Sequence, residues 1–309
     1  MKILVTRHDK IGDFVTMLPV CKVLKEQTDH KIYMLVSKVN VPLAKELDFI
    51  DGVIEYSSNK KELIKQIKSH NFDVSISGFI DSDLGYILWR SKIKKRIAPA
   101  TKLAQIFFNK RLKQRRSQVK KREFEYNLEL LKLLDSNLDL NFSKPLYPLD
   151  YKREDFIIFH PGFGGSSDGN LSLDEYFYLA QKASQFTQVV FTFGPDDKRA
   201  KEYIKAKLPF KNITIKDDFA DIVALTHFIA KSKLFISTST GPMHLAALTN
   251  TPTISFFGNT LFASAKRWAS VSDEHLQHNF HLGTGKDAPF PPATLKAIEQ
   301  KLISLLQGK

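Results

Sequence analysis

The chain has 309 residues, enough for two domains, and its 43% hydrophobic and 26% charged residues are typical of a globular protein. No apolar run reaches the roughly 18 residues that a membrane span needs, and the start lacks a signal-peptide pattern, so we expect a cytoplasmic protein. The net charge is +13, with 28 basic against 18 acidic residues in the first 150, which indicates either a solvated surface or an anionic partner.

The first half of the chain alternates short apolar strands with helices. Strands are predicted over residues 2–6, 32–36, 53–56 and 72–77, and helices over residues 12–24, 41–47 and 60–69. Pro19 lies inside the first helix and is expected to kink it, and the single cysteine, Cys21, fits its apolar side and excludes an internal disulfide. Residues 80–135, which contain the main basic run, are predicted to be mostly helical.

A second alternating series follows a proline-containing linker at residues 144–151, so we predict domains at 1–148 and 149–309. Strands are expected at residues 156–160, 189–193, 213–215, 234–237 and 253–257, with helices between them and an amphipathic helix at the end. This pattern predicts an α/β protein with two doubly wound parallel sheets, and a ligand at the carboxyl ends of their strands.

One strand–turn–helix stretch, from Phe235 to Leu248, has the features of a phosphate site. Ser239 and Thr240 are expected to accept hydrogen bonds from the first helical turn, and Pro242 suits that turn because it has no N–H to leave unpaired. Gly241 allows a ligand to approach the backbone. A helix N-terminus of this kind binds phosphate well, but the same residues also describe an ordinary capped helix, and local physics supports both readings about equally.

The same stretch resembles the C-terminal signature of the heptosyltransferase family, glycosyltransferase family 9. The signature reads Ser-Thr-Gly-Pro-Met-His-Leu-Ala-Ala at 239–247 and Thr-Pro-Thr-Ile-Ser-Phe-Phe-Gly at 251–258. The N-terminus is similar to that family's opening, a strand followed by Arg-x-Asp-x-x-Gly-Asp at 7–13, then Leu-Pro and a helix. The resemblance implies the GT-B fold, two Rossmann-like domains facing each other across a cleft, with a terminal helix (residues 294–307) packing back on the first domain.

The activity that the resemblance implies is inverting transfer of heptose or a related sugar from a nucleoside-diphosphate sugar, ADP-heptose first, to a lipopolysaccharide inner-core acceptor. The first domain would bind the acceptor and the second the nucleotide sugar. In the family the Asp of the Gly-Asp pair is the proposed general base, which here is Asp13. The position of Asp13 alone predicts a helix N-cap as well as it predicts a base. Asp9 is interpreted as a cap, a partner of Arg7 or a second site residue.

Donor-binding residues implied by the resemblance lie in two loops of the second domain. They are His160, Gly162 and Gly164 of a His-Pro-Gly loop, and Ser239, Thr240, Gly241, Pro242 and His244. His244 either bonds a phosphate or packs. No metal site and no cofactor beyond the donor is expected. Asp81 and Asp83 form the only Asp-x-Asp pair of the sequence, and this pair lies in the first domain.

Two positions depart from the family pattern. Gly169 stands where a lysine commonly reaches the diphosphate, and Ser239 stands where an aspartate commonly contacts the donor. The departures leave the donor sugar and base open. They also support an alternative, a catalytically weak or silent GT-B protein that binds nucleotide or anionic glycan.

The basic residues of the first domain have a natural partner in an anionic glycolipid. Those expected to hold acceptor phosphates and carboxylates, or the cytoplasmic face of the inner membrane, are Arg7, Arg111, Lys113, Arg115 and Arg116. Nucleic acid is not expected as a partner, because aromatic residues are not interleaved with the basic run as stacking platforms.

Overall fold

The computed structural model describes residues 1–162, 169–281 and 290–308. The chain divides into two units, Met1–Leu146 and Tyr147–Lys309, and the division falls close to the boundary predicted from the prolines of the linker. Within the described ranges, no helix combines the length and apolar character needed to cross a bilayer.

The first unit contains a parallel sheet with the strand order β3-β2-β1-β4-β5-β6. Its elements are β1 (Lys2–Arg7), α1 (Ile11–Gln27), β2 (Lys31–Val36), α2 (Val41–Glu46), β3 (Gly52–Glu55), α3 (Lys60–Ser69), β4 (Val74–Ser77), α4 (Ser82–Arg90), β5 (Lys95–Pro99), β6 (Lys110–Leu112) and α5 (Glu123–Glu129). Short 3₁₀ helices lie at Lys38–Asn40, Leu103–Phe107, Arg116–Gln118 and Leu130–Leu133.

The second unit repeats the plan with the order β12-β11-β10-β7-β8-β9. Its elements are β7 (Phe156–His160), α6 (Leu173–Ala183), β8 (Gln188–Phe191), α7 (Lys198–Ala206), β9 (Ile213–Ile215), α8 (Ile222–Lys231), β10 (Leu234–Thr238), α9 (Gly241–Leu248), β11 (Thr253–Phe257), α10 (Ala265–Trp268), β12 (Gln277–His281) and α11 (Pro292–Leu306). Two 3₁₀ helices lie at Leu261–Ala263 and Glu274–Leu276.

The central strands are apolar because helices cover both faces of each sheet. Every residue of β7, β10 and β11 is buried, so adjacent apolar residues occur in each strand instead of a strict apolar–polar alternation. Cys21 is fully buried in α1, as its apolar surroundings predicted.

Each sheet has one point at which the strand order reverses, between β1 and β4 in the first unit and between β7 and β10 in the second. Loops that leave neighbouring strands at such a point run in opposite directions and open a crevice at the carboxyl ends, where ligands of doubly wound proteins bind. The loops concerned carry the motifs at 7–13 and 239–247.

Several sequence-based expectations for the fold were wrong. Residues 80–135 are not mostly helical, because they include β5 and β6, whose lysines and arginines conceal the strand pattern. Strand β12 was missed because it is an edge strand with polar residues, partly exposed on both faces. Pro19 lies inside helix α1, as the sequence predicted. Helix α11 packs on α6, and its buried Ile298 and Leu302 belong to the core of the second unit.

Candidate functional site

Arg7, the last residue of β1, lies at the centre of a carboxylate cluster, which we define as Arg7, Asp9, Asp13 and Glu123. Its Nε donates to Asp9 Oδ1 at 2.8 Å, its Nη2 donates to Asp13 Oδ1, and its Nη1 lies 3.7 Å from Glu123 Oε1. Only 4% of the Arg7 side chain is exposed. The arginine therefore binds its own chain's carboxylates.

Arg116, which precedes α5, is a second cation at this cluster. Arg116 Nη1 donates to Glu123 Oε1 at 2.6 Å and to the carbonyl of Gly78 at 3.3 Å, and Nη2 donates to Asn127 Oδ1 at 3.2 Å. Asn127 is fully buried and donates to the carbonyl of Thr16 in α1 at 3.0 Å. Helix α5 thus fixes the cluster against α1.

The charges of the carboxylate cluster shift its ionisation. Burial works to lower the pKa of Arg7, but Asp13, Asp9 and Glu123 outweigh it and raise that pKa. The pKa of Asp9 is raised to about 6, because burial and the charge of Asp13 raise it by more than Arg7 lowers it. The result is a group of carboxylates that compete for one buried guanidinium.

Asp13 is not the N-cap of α1. Lys10 occupies that position without a side-chain cap, and Asp13 is the third residue of the helix. Its side chain is 19% exposed, and its described partner is Arg7 through Oδ1. The helix start therefore presents a carboxylate that is held at one oxygen and partly open to solvent.

A second polar group, His8, follows β1 and was missed by the sequence analysis. Its ring stacks on Tyr56 at a centroid distance of 4.1 Å, and its Nε2 lies 3.3 Å from Asp81 Oδ2. Burial lowers the pKa of His8. Asp81 also caps α4 by accepting from the Leu84 amide at 2.7 Å, while Asp83 pairs with Lys60, so both members of the Asp-x-Asp pair have structural partners.

In the second unit, His160 ends β7 and is buried beside β8. Its Nδ1 lies 3.0 Å from Thr192 Oγ1, and its Nε2 lies 3.9 Å from Asp197 Oδ2. Burial lowers the pKa of His160 to about 4 against the pull of Asp197. A Cβ at Gly162 would lie 1.8 Å from Asp197 Oδ2, so a larger residue there would displace that carboxylate. Gly164 lies outside the described residues.

The start of α9 differs from the expected cap. Thr240 occupies the N-cap position with extended backbone, but its hydroxyl donates to the carbonyl of Thr238 at 3.3 Å and caps no amide. The first turn, from Gly241, is therefore without a side-chain cap, which suits an external anion. His244 is 3% exposed, its Nδ1 has no hydrogen-bond partner in the described part of the chain, and burial lowers its pKa to about 4.

A comparison with protein families shows which family the chain carrying these two sites belongs to. The family model described as glycosyltransferase family 9 (heptosyltransferase) matches residues 61–287. The chain belongs to glycosyltransferase family 9. The family inferred from the two motifs is confirmed, and the protein is a glycosyltransferase.

Individual relatives of this glycosyltransferase agree. A putative glycosyltransferase of Haemophilus influenzae is 35% identical over 315 residues, which cover 93% of this chain and 91% of the relative. Lipooligosaccharide heptosyltransferase 2 of Campylobacter jejuni is 28% identical over 281 residues, which cover 87% of this chain and 84% of the relative.

Solved structures identify the fold. The E. coli ADP-heptose lps heptosyltransferase II superposes with a TM-score of 0.84 at 17% identity, covering 100% of this chain and 99% of that one. E. coli heptosyltransferase WaaC with ADP superposes with a TM-score of 0.80 at 14% identity, covering 99% and 100%. The predicted GT-B fold is confirmed.

The two departures of this family 9 glycosyltransferase have different structural settings. A Cβ at Gly169 would lie 2.4 Å from the Gly258 nitrogen and 2.4 Å from the Phe257 carbonyl carbon, so no lysine fits there. The next residue, Asn170, is held by Pro161 and Tyr176 through hydrogen bonds of 2.8 and 2.7 Å. Ser239, by contrast, is partly exposed.

The cations predicted to bind the acceptor fall into two groups. Arg111, Lys113 and Arg115 are exposed on and after β6. Arg7 and Arg116 are mostly buried and form ion pairs with the carboxylate cluster, while their predicted contact with acceptor phosphates stays a prediction. The sequence could not separate the groups, because Glu123 lies far from Arg7 along the chain.

Proposed function

We propose that this glycosyltransferase moves heptose or a related sugar, with inversion and without a metal ion, from a nucleoside-diphosphate sugar to a lipopolysaccharide inner-core acceptor. ADP-heptose is the first candidate donor, because a structural neighbour is described with ADP and a relative is named a lipooligosaccharide heptosyltransferase. Such an acceptor is lipid-linked, so the proposed site of action is the cytoplasmic face of the inner membrane.

The observation that carries this proposal is the partly exposed carboxylate of Asp13, held at one oxygen by Arg7. Asp13 removes the proton from an acceptor hydroxyl as that oxygen attacks the anomeric carbon. The bond from the anomeric carbon to the diphosphate oxygen breaks, and its electron pair leaves with the nucleoside diphosphate. Attack from the opposite face inverts the configuration. Arg7 orients Asp13 and shares its charge with Asp9 and Glu123.

The departing diphosphate needs positive potential, which the second unit supplies without an ion. The uncapped first turn of α9 offers backbone N–H groups and the positive end of the helix dipole. We assign donor contacts to Ser239, Thr240, Gly241, Pro242 and His244, with the loop carrying His160, Gly162 and Gly164 beside them. Because burial lowers the pKa of His244 to about 4, its imidazole is neutral near pH 7 and acts as a hydrogen-bond partner rather than a cation.

The exchange of Asp13 for asparagine tests the base directly. Asp13→Asn removes proton acceptance but keeps the shape of the side chain, so transfer falls by about 10²–10⁴-fold. The thermal shift produced by the donor nucleotide stays unchanged, and Asp9→Asn serves as the matched control with a smaller loss. Transfer that survives Asp13→Asn contradicts the assignment, and a rate abolished by EDTA contradicts the metal-free mechanism.

A silent GT-B protein is the second candidate, and Gly169 and Ser239 favour it. A panel of ADP, UDP, GDP and CDP, free and as sugar nucleotides, separates the two. A nucleotide at 100 times its dissociation constant stabilises the folded chain by about 2.7 kcal/mol, or roughly 4–8 °C in Tm. A shift confined to one base names the donor class, whereas no shift with any nucleotide and no transfer supports the silent protein.

A further inference from the structure

The 3₁₀ helix Leu103–Phe107 exposes aliphatic side chains that the core does not use. Leu103 is 87% exposed and Ile106 is 74% exposed. With three residues per turn, residues i and i+3 of a 3₁₀ helix share one face. Leu103 and Ile106 therefore project together, while Ala104, which is buried, and Phe107 lie on the face that packs inward.

Two aromatic side chains of α4 extend this surface. Tyr86 is 38% and Trp89 48% exposed, and their rings lie 6.4 and 6.3 Å from the ring of Phe107. Gly85 allows the close approach, since a Cβ there would lie 2.7 Å from the Phe107 ring. We call these five residues the apolar patch: Tyr86, Trp89, Leu103, Ile106 and Phe107.

The backbone beneath the apolar patch is fastened to the sheet. Arg96 of β5 donates through Nε to the carbonyl of Phe107 at 2.7 Å and through Nη1 to the carbonyl of Ile93. Lys102, at the other end of the 3₁₀ helix, lies over the ring of Phe79 at 4.1 Å. The exposed aliphatic side chains are thus presented by an anchored segment.

Basic residues lie beside the apolar patch. Residues 84–122 contain 14 lysines and arginines and no acidic residue. Arg90 lies next to Trp89, with its guanidinium 6.0 Å from that ring, and it is exposed, as are Lys92 and Lys94 of the following turn. Asn109 donates to the carbonyl of Lys94 at 2.7 Å, which brings the exposed Lys110 to the same region.

We propose that the apolar patch docks on the surface of an anionic lipid bilayer. Tryptophan and tyrosine favour the boundary between headgroups and acyl chains, and leucine and isoleucine insert more deeply. Arg90, Lys92, Lys94 and Lys110 contact acidic headgroups. A second copy of the chain is a poorer occupant, because it would bring two surfaces of the same charge together. The inference rests on the proposed function and deepens it, since it names the surface by which the chain would meet the membrane that carries a lipid-linked acceptor.

Flotation of the full chain with lipid vesicles tests the proposal. Vesicles of phosphatidylcholine are compared with vesicles that contain about a third phosphatidylglycerol. At low salt we expect the chain to bind the anionic vesicles and not the phosphatidylcholine vesicles. The double variant Leu103→Ser with Ile106→Ser binds about tenfold more weakly or worse. Val39→Ser, at a residue of the same unit that is 50% exposed, is the control for loss of an exposed apolar side chain.

A second variant tests the charges with a matched control. Arg90→Gln, Lys92→Gln and Lys94→Gln together weaken binding by about tenfold at low salt. Lys61→Gln, Lys65→Gln and Lys68→Gln remove the same charge from exposed positions of α3 and leave binding within about twofold. Unchanged Tm values show that each variant is folded.

Three results overturn the proposal: no binding of the wild-type chain to anionic vesicles, equal binding by the Leu103/Ile106 variant, or a dimer in sedimentation that this variant abolishes while vesicle binding persists. Transfer to a lipid-free acceptor fragment is measured in parallel. If that transfer occurs while vesicle binding fails, only the docking surface is wrong. If vesicle binding follows the apolar patch while no transfer is found, the failure belongs to the proposed function.

Discussion

We expect Arg7 to contribute to stability as well as to the site, because its guanidinium is buried among three carboxylates. Removing the cation from a buried ion pair leaves uncompensated charge, so Arg7→Gln lowers the free energy of unfolding by about 3–5 kcal/mol, measured by urea denaturation. Lys60→Gln breaks a surface pair with Asp83 and changes that free energy by less than about 1 kcal/mol. Equal effects of the two substitutions would contradict the central position of Arg7.

The buried histidines predict how stability depends on pH. Burial lowers the pKa of both His160 and His244 to about 4, while both titrate near 6.5 in the unfolded chain. Between these values the unfolded chain binds more protons, so stability rises with pH from about 4 to 6.5 and is lost as the pH falls. Asp9 acts in the opposite direction, since its raised pKa makes the folded chain the better proton binder between about 4 and 6.

His244→Leu isolates one of these contributions. Urea denaturation from pH 4 to 8 should show a shallower rise of unfolding free energy for the variant, with a difference of up to roughly 3 kcal/mol over the window. Above pH 7 the two curves become parallel, because His244 is neutral in both states. Parallel curves over the whole range would mean that His244 is not buried as a neutral ring.

At the residue scale the sequence predicted the chemistry near each motif but not its long-range partners. The motif at 7–13 brings Arg7, Asp9 and Asp13 together through local chain geometry. Glu123 and Arg116 join them only because α5 packs on α1, and the local sequence pattern does not predict that packing. His8 was overlooked because a single histidine after a strand is a weak signal.

Among the elements, the close packing of Gly169 against the end of β11 limits which residues this position of the donor site can accept. Gly169→Ala places a Cβ against backbone atoms of Phe257 and Gly258, which cannot rotate away, and we expect it to lower the free energy of unfolding by about 1–3 kcal/mol. Ser239→Asp, at a partly exposed position, changes that free energy by less than about 0.5 kcal/mol. Equal tolerance at both positions in thermal denaturation would contradict this account.

Most strands were predicted from sequence, including the edge strands β3 and β9, whereas the edge strands β6 and β12 were not. Strands β1, β7, β10 and β11 are almost entirely buried, and each contains a run of two to four apolar residues. The edge strands β6 and β12 face water, and lysine, arginine, glutamine and histidine there give no strand signal. The uncapped start of α9 also escaped prediction, because Thr240 has the residue type of a cap without its hydrogen bond.

On the scale of the whole molecule, the uneven charge predicts how the rate responds to salt. Residues 1–150 carry 28 basic and 18 acidic side chains, and the remainder carries 18 and 15. A positive field concentrates an anionic acceptor and is screened over about 10 Å at 0.1 M salt. Raising salt from about 50 to 300 mM should therefore lower kcat/KM for a phosphorylated acceptor several-fold. The matched control is a dephosphorylated acceptor, for which a similar fall would argue against steering.

The division into two units could be predicted because two similar strand–helix series flank a proline-containing linker. The packing of α11 on α6 could not, since an amphipathic helix shows that one face is buried without showing against what. Ile298 and Leu302 of this helix belong to the core of the second unit.

The burial of Cys21 has a practical consequence. Burial raises the pKa of this single thiol and keeps reagents away from it, so the folded chain should not react with maleimides. A cysteine introduced by Leu103→Cys, or at the exposed Phe186 of the other unit, would then be the one labelled position without removal of the native residue. A fluorophore or spin label at each position could report its own surroundings as lipid, nucleotide and acceptor are added in turn.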